Sequence, residues 1–228
     1  MNVYIGTSGW RYFWNEGGTI EWYIENTGLN AIELNASFYR FPFKNMVSGW
    51  AKKGRSLKWC VKVSRQITHI HLFGNNSIEI FKRFKELFEP MEDIISFYLF
   101  QLPPKMKSEY KNKIEDFLKN SGLKEKIALE VRNVDWFREE NYRWAMDNNI
   151  TWVSIDAPKL PNEIIKTTDD IYVRFHGREG WYEHNYTKKE LEDVKNRIVE
   201  KSPDNTYIFF NNDKDMLENA IQMKKIFS

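Results

Sequence analysis

The sequence predicts a single α/β domain over residues 1–228, a (β/α)8 TIM barrel of parallel strands with its sixth helix reduced. Three observations predict it. Eight short runs rich in β-branched and aromatic residues recur along the chain, as strands require. Amphipathic stretches lie between them, the pattern of parallel β-α units. No Pro/Gly-rich linker or change in composition divides the chain, and its 228 residues are near the roughly 250 typical of this architecture.

The strands are read at residues 3–6, 31–34, 58–63, 95–100, 127–131, 151–155, 171–175 and 207–210. Before the fourth strand, Ile78, Phe81, Phe84, Leu87 and Phe88 fall at helical spacing. Before the fifth, Ile114, Phe117 and Leu118 do the same, and Gly122 follows as a stop. The segment 158–170 holds two prolines and little room for a helix, so a turn or short helix is expected there. Before the last strand, Thr187 and Glu190 have the spacing of a capping box, in which each side chain satisfies a free backbone N–H of the other, and Leu191, Val194 and Ile198 form the buried stripe.

Composition narrows the class of protein. Hydrophobic residues make up 42% and charged residues 29%, a globular mixture. The net charge of +2 gives no global basic field of the kind that announces nucleic acid. Cys60 is the only cysteine, so no intramolecular disulfide forms, which suits a reducing compartment. No signal peptide pattern and no run approaching ~18 apolar residues is present, so the expectation is a cytoplasmic protein without a membrane span.

Alternation along the strands points to a site. Side chains two apart share a face. Glu33, Asn35 and Ser37 share one on the second strand, Lys62 and Ser64 on the third, Glu130 and Arg132 on the fifth, Ser154 and Asp156 on the sixth, and Arg174 and His176 on the seventh. The opposite faces are apolar and suit contact with helices, so the polar faces are expected to point into the barrel, gathered at the C-terminal ends where barrel enzymes place their chemistry.

The segments Gly6-Thr7-Ser8-Gly9-Trp10, Glu33-Leu34-Asn35-Ala36-Ser37-Phe38-Tyr39-Arg40, Lys62-Val63-Ser64-Arg65-Gln66-Ile67-Thr68-His69, Phe100-Gln101-Leu102-Pro103-Pro104, Glu130-Val131-Arg132, Asp156-Ala157-Pro158, Tyr172-Val173-Arg174-Phe175-His176-Gly177-Arg178 and Phe210-Asn211-Asn212 resemble the signature blocks of the YecE-like family, a domain-of-unknown-function family (number seventy-two) with a TIM-barrel fold. The likeness runs from the first strand to the last helix. It implies the fold and the place of the site, and supplies no reaction. Two departures stand out: Asn133 occupies a position where the family often has histidine, and the loop after Trp10 is short.

The inward set balances three acids, Glu33, Glu130 and Asp156, against three bases, Lys62, Arg132 and Arg174. Such a set is able to satisfy itself as a structural plug of ion pairs. As chemistry, the three acids are acid/base candidates and His176 a proton shuttle. Lys62 is an electrophile, or an amine nucleophile if its pKa is lowered; nearby carboxylates favour an electrostatic role. Arg40, Arg65, Arg178 and His69 add positive charge at the rim, and arginine forks suit carboxylate or phosphate oxygens. Loops after strands seven and eight often hold phosphate in this fold, so Gly177, Gly180, Asn211 and Asn212 are read as anion binders, with turn-making as the plainer role for the glycines.

No cofactor is predicted. The rival is a divalent metal on Glu33, Glu130, Asp156 and His176, which three neighbouring cations oppose, and His69 and His71 form a weak H-x-H pair. Trp10, Trp14, Tyr39, Trp136 and Trp181 follow strand ends, where they stack on bases or sugars or cap the barrel as packing. Cys60 is read as packing. The favoured reading is an enzyme, a hydrolase or lyase, using acid/base chemistry on a small phosphate-bearing substrate. The alternatives are a nucleic-acid or nucleotide binding module and a metal-dependent phosphodiester hydrolase. Protein partners are not legible.

Overall fold

The alternation that separates Glu33 from Ile32 and Leu34, and Lys62 from Val61 and Val63, builds a curved parallel sheet with two unlike faces. The computed structural model describes residues 1–228. The strands are β1 (Asn2–Thr7), β2 (Ala31–Leu34), β3 (Lys58–Lys62), β4 (Ile95–Gln101), β5 (Ile127–Glu130), β6 (Thr151–Asp156), β7 (Asp170–Phe175) and β8 (Asn205–Phe210). They pair in parallel in the order β1-β8-β7-β6-β5-β4-β3-β2. All eight sequence-predicted strands are therefore present, in a nearly closed (β/α)8 barrel.

The seam between β1 and β2 closes through side chains. The Asn30 amide donates to the Val3 carbonyl and accepts from the Ile5 N–H, both at 2.8 Å. The Tyr23 hydroxyl donates to the Ala31 carbonyl at 2.9 Å and accepts from the Thr7 N–H at 3.2 Å. Gly6 lets the strands approach, since a Cβ there would collide with the Ala31 carbonyl.

Helices α1 (Ile20–Thr27), α2 (Ala36–Tyr39), α3 (Lys44–Lys53), α4 (Ser77–Phe88), α5 (Lys111–Ser121), α6 (Glu139–Asp147), α7 (Lys188–Glu200) and α8 (Met216–Phe227) flank the sheet. Gly122 ends α5 in a left-handed conformation, and the Thr187–Glu190 capping box starts α7. The large core lies between helices and sheet and includes Phe81, Phe100, Phe117, Trp59 and Trp152. None of the helices is long and apolar enough to cross a membrane.

Between β6 and β7 there is no helix, where a turn or short helix was expected. An irregular segment covers β6 instead and borrows hydroxyls to satisfy the backbone. Ile165 N–H donates to Ser154 Oγ at 2.9 Å, Trp152 N–H to Thr167 Oγ1 at 2.8 Å, and Thr167 Oγ1 to the Ile150 carbonyl at 2.6 Å. This corrects the expected orientation of β6. Val153 and Ile155 join the barrel-interior cluster of Cys60, Phe97, Tyr172 and Phe209, so Ser154 and Asp156 face outward.

Candidate active site at the barrel mouth

The barrel interior has an apolar floor and a charged upper layer. At the floor Tyr4 stacks on Tyr207 with centroids 4.9 Å apart, and Phe97 meets Tyr207 edge-on at 5.0 Å. Above it Arg174, fully buried, joins two carboxylates. Its Nη2 lies 2.5 Å from Glu33 Oε1, and its Nη1 donates to Glu130 Oε2. Ser8 Oγ and the Tyr172 hydroxyl each donate to Glu33 at 2.6 Å, while Arg132 Nε donates to Glu130. Burial pushes the Glu130 carboxyl up, but Arg132, Arg174 and His176 outweigh it and hold the group well below the usual carboxylate range.

His176 is buried, and burial together with Arg132 and Arg174 lowers its pKa well below the ordinary value, so the ring is neutral. Arg132 Nη2 lies 3.1 Å from His176 Nε2; an arginine only donates, so Nε2 accepts and the proton sits on Nδ1. Nδ1 is 3.2 Å from the Asn211 amide, which then presents its oxygen. Trp181 covers the Arg132 guanidinium at 4.3 Å.

Lys62 differs from every other charged group in this layer. Glu33 and Glu130 are committed to arginines, and no carboxylate or carbonyl accepts from its ammonium; its nearest aromatic neighbour is the Phe38 ring at 4.3 Å. Burial first, then Arg174, pull its pKa down to about 7 against the opposing pull of Glu130 and Glu33. The electrostatic role expected from nearby carboxylates presupposed pairing that is absent. The amine opens on a cavity of about 250 Å³ bounded by Tyr12, Tyr39, Tyr182, Asn211 and Asp213, with Asn35 beside it. Tyr182 and Asp213 hold left-handed backbone conformations, φ 69° and 46°. For a bulky tyrosine this is a strained geometry, of a kind that clusters at functional sites.

Positive charge concentrates on the β3 side. A π-helical turn at Gln66–Ile70 carries His69, whose ring packs edge-on against Phe38 at 5.0 Å. Burial, then Lys62, Lys105, Arg132 and Arg65, lower the His69 pKa to about 4, so the ring is neutral. His71 is exposed.

The loops after β7 and β8 are built otherwise than expected. Gly177 N–H donates to the Tyr186 hydroxyl at 2.9 Å, and a Cβ on Gly177 would strike the backbone at Gly180 and Glu183. Gly177 therefore makes a tight turn and has no free N–H for an anion. Asn212 is buried and donates to the His184 carbonyl at 2.8 Å and Asn219 Oδ1 at 2.7 Å, away from the mouth. Asp156 is bound by Arg178 Nη2 at 2.7 Å on the outer face of the sheet, and Arg178 reaches Glu190 at 2.7 Å. The set Glu33, Glu130, Asp156 and His176 consequently does not converge, and no three His, Cys, Asp or Glu side chains are grouped to hold a metal ion.

Arg40 and Tyr39 are exposed at the rim, and a second cleft of about 390 Å³ runs from Tyr39 and Asn35 to Arg40, Arg11 and Trp10. Trp10 is only 5% exposed and packs edge-on to Trp50 and Trp59; Trp136 is buried with its Nε1 on the Met106 carbonyl at 2.8 Å. Both are packing residues. Trp14 stacks on Tyr12 at 5.6 Å. Cys60 is buried, and burial raises its thiol pKa well above the ordinary value, against a nucleophilic role. Asn133 bonds the Pro104 carbonyl at 2.7 Å. Sequence reasoning missed Tyr12, Lys105, Tyr182 and Asp213 as mouth residues; their one signal was position in a loop just after a strand.

Solved structures similar to this chain share the fold. A DUF72 family protein from Thermotoga maritima superposes with a TM-score of 0.88 at 29% identity, covering 100% of this chain and 99% of its own. A DUF72 family protein from Enterococcus faecalis gives a TM-score of 0.86 at 20% identity, with 98% of this chain and 94% of its own covered. No curated protein matches significantly. The model of the family described as "Protein of unknown function DUF72" matches residues 4–228, and the chain belongs to that family.

Proposed function

We propose that this protein is an enzyme acting on a small anionic substrate at the C-terminal mouth of the barrel, with Lys62 as its reactive group. One observation carries the reading: a buried lysine amine without a carboxylate partner opens on a cavity while every inner carboxylate is committed elsewhere. A self-satisfied plug of ion pairs has no need of that amine. Arg65, Lys105 and Arg132 supply the positive field for a phosphate or carboxylate group, and neutral His176, joined to Arg132, is available for proton transfer. Cations that follow β3, β4 and β5 supply the charge, while Tyr182, Asn211 and Asp213 after β7 and β8 wall the cavity.

Thermal unfolding with added phosphate, sulfate and simple nucleotides, against chloride at matched ionic strength, tests the reading. A ligand that binds only the folded state stabilises it by about 2.7 kcal/mol at 100 times its Kd. A shift with phosphate compounds that Arg132→Met and Arg65→Met reduce is the expected result; no shift with any anion overturns it. Exposed Tyr39 and Phe43 beside Arg40, with exposed Trp181 over Arg132, favour a second reading, single-stranded nucleic acid held across the rim. That binding would weaken steeply with salt, in proportion to the phosphates contacted.

A further inference from the structure

We infer that Lys62 condenses with the carbonyl carbon of a small anionic aldehyde or ketone and holds it as an imine at the floor of the mouth. The inference rests on the reading of this cavity as an anion-binding enzyme site and names its substrate class. Three features carry it. The amine has no acceptor to hold its protons, because Arg174 and Arg132 occupy Glu130, and Arg174, Ser8 and Tyr172 occupy Glu33. The cavity of about 250 Å³ that it faces suits a short-chain compound rather than a drug-sized ligand. Asp213, on the wall of that cavity, makes no ion pair, so the cavity's one carboxylate does not hold the amine either.

A proton-transfer role alone would be served by a carboxylate or histidine. An amine adds the capacity to form a bond to carbon. The Lys62 nitrogen pair attacks the carbonyl carbon, the C–N bond forms, and the carbonyl π pair moves to oxygen. That oxygen takes one proton while nitrogen loses one, giving a carbinolamine. The C–O bond then breaks, the hydroxyl leaves with a proton taken from solvent at the mouth, and nitrogen supplies the C=N pair, its remaining proton returning to solvent. One water is released, and no oxidant or reductant is consumed. Arg65, Lys105 and Arg132 supply a positive field that favours an anionic substrate, and the Phe38 ring lies beside the Lys62 amine.

Reductive trapping tests the inference. The full-length protein is incubated at pH 7 with pyruvate or glycolaldehyde phosphate and sodium cyanoborohydride, and peptides are mapped by mass spectrometry. The expected result is one adduct per chain on Lys62, formed at least about tenfold faster than on exposed Lys82, whose amine is paired with Glu79. Inorganic phosphate should slow it, and Lys62→Arg should abolish it; if that variant does not fold, mapping on the wild-type chain decides. Labelling confined to surface lysines overturns the imine. If both compounds still raise the Tm in that case, the anion site stands without it; if neither does, both readings fall.

Discussion

Two charged clusters of the same composition sit on opposite faces of β7. Inside the barrel Arg174 lies between Glu33 and Glu130, with His176 beside it; outside, Arg178 lies between Asp156 and Glu190, with His184 Nε2 3.1 Å from Glu190. The inner arginine is fully buried, whereas the outer one keeps 31% of its side chain exposed. The outer cluster closes on itself and on the α7 capping box. The inner cluster closes too, but leaves Lys62 over, and Lys62 faces a cavity. Composition therefore does not distinguish the two clusters; the amine left without a partner does.

The largest expected difference between the two is in stability. Arg174→Met leaves buried Glu33 without a cation and Glu130 with Arg132 alone, and should cost about 3–5 kcal/mol. Arg178→Met removes a partly solvated, salt-screened partner and should cost about 1 kcal/mol, since Asn162 still donates to Asp156. Urea unfolding midpoints measure both. Equal costs would mean that burial does not separate the clusters.

Acid and base should act on the inner cluster in a defined direction. The folded Glu130 carboxyl stays charged below the pH at which the unfolded one binds its proton, so its contribution is present above about pH 4.3 and is lost as pH falls through the folded value. The His176 ring, held neutral, favours the unfolded state once pH drops below about 6.5, where the unfolded ring gains a proton. Lys62 acts on the alkaline side. Between its folded value of about 7 and an unfolded value near 10.4, only the unfolded amine is protonated, so stability rises with pH by up to about 1.4 kcal/mol per pH unit. Lys62→Met should flatten that rise between pH 7 and 9 in urea midpoints. An unchanged slope in the variant would mean that the wild-type amine keeps its proton in the fold.

Most of the barrel was legible because each strand announces itself by composition and each helix by spacing, signals local to a few residues. The inward set on β2, β3, β5 and β7 was legible too, since a polar face opposite a helix-facing apolar one has only the interior left. The same argument failed on β6. Alternation shows that a strand has two faces but not which is inside. Without a helix between β6 and β7, the covering segment 162–168 needs hydroxyl partners, and Ser154 meets that need from the outer face. The two prolines at 158 and 161 were the available hint. Pairing was not legible at all. Sequence counts three acids against three bases, but only coordinates show that Asp156 leaves the set and that two arginines then take both remaining acids, freeing Lys62.

The smallest expected effect probes whether the two clusters are independent. Thr187 Oγ1 accepts from the Glu190 N–H at 3.3 Å, and Glu190 Oε2 accepts from the Thr187 N–H at 2.8 Å, so Thr187→Ala should cost about 1 kcal/mol through the α7 N-terminus. Glu190 loses one hydroxyl partner but keeps Arg178 and His184, so the outer cluster should loosen without breaking. The mouth takes nothing from Thr187: Arg132, His176 and Asn211 form their own chain, and Lys62 lies across the barrel on β3. The variant should therefore melt at a lower temperature while showing the same phosphate-induced rise in Tm as wild type. A weakened rise would mean that the loop from His176 to Tyr182, which shares Arg178 with the outer cluster, transmits the loss of the cap to the mouth.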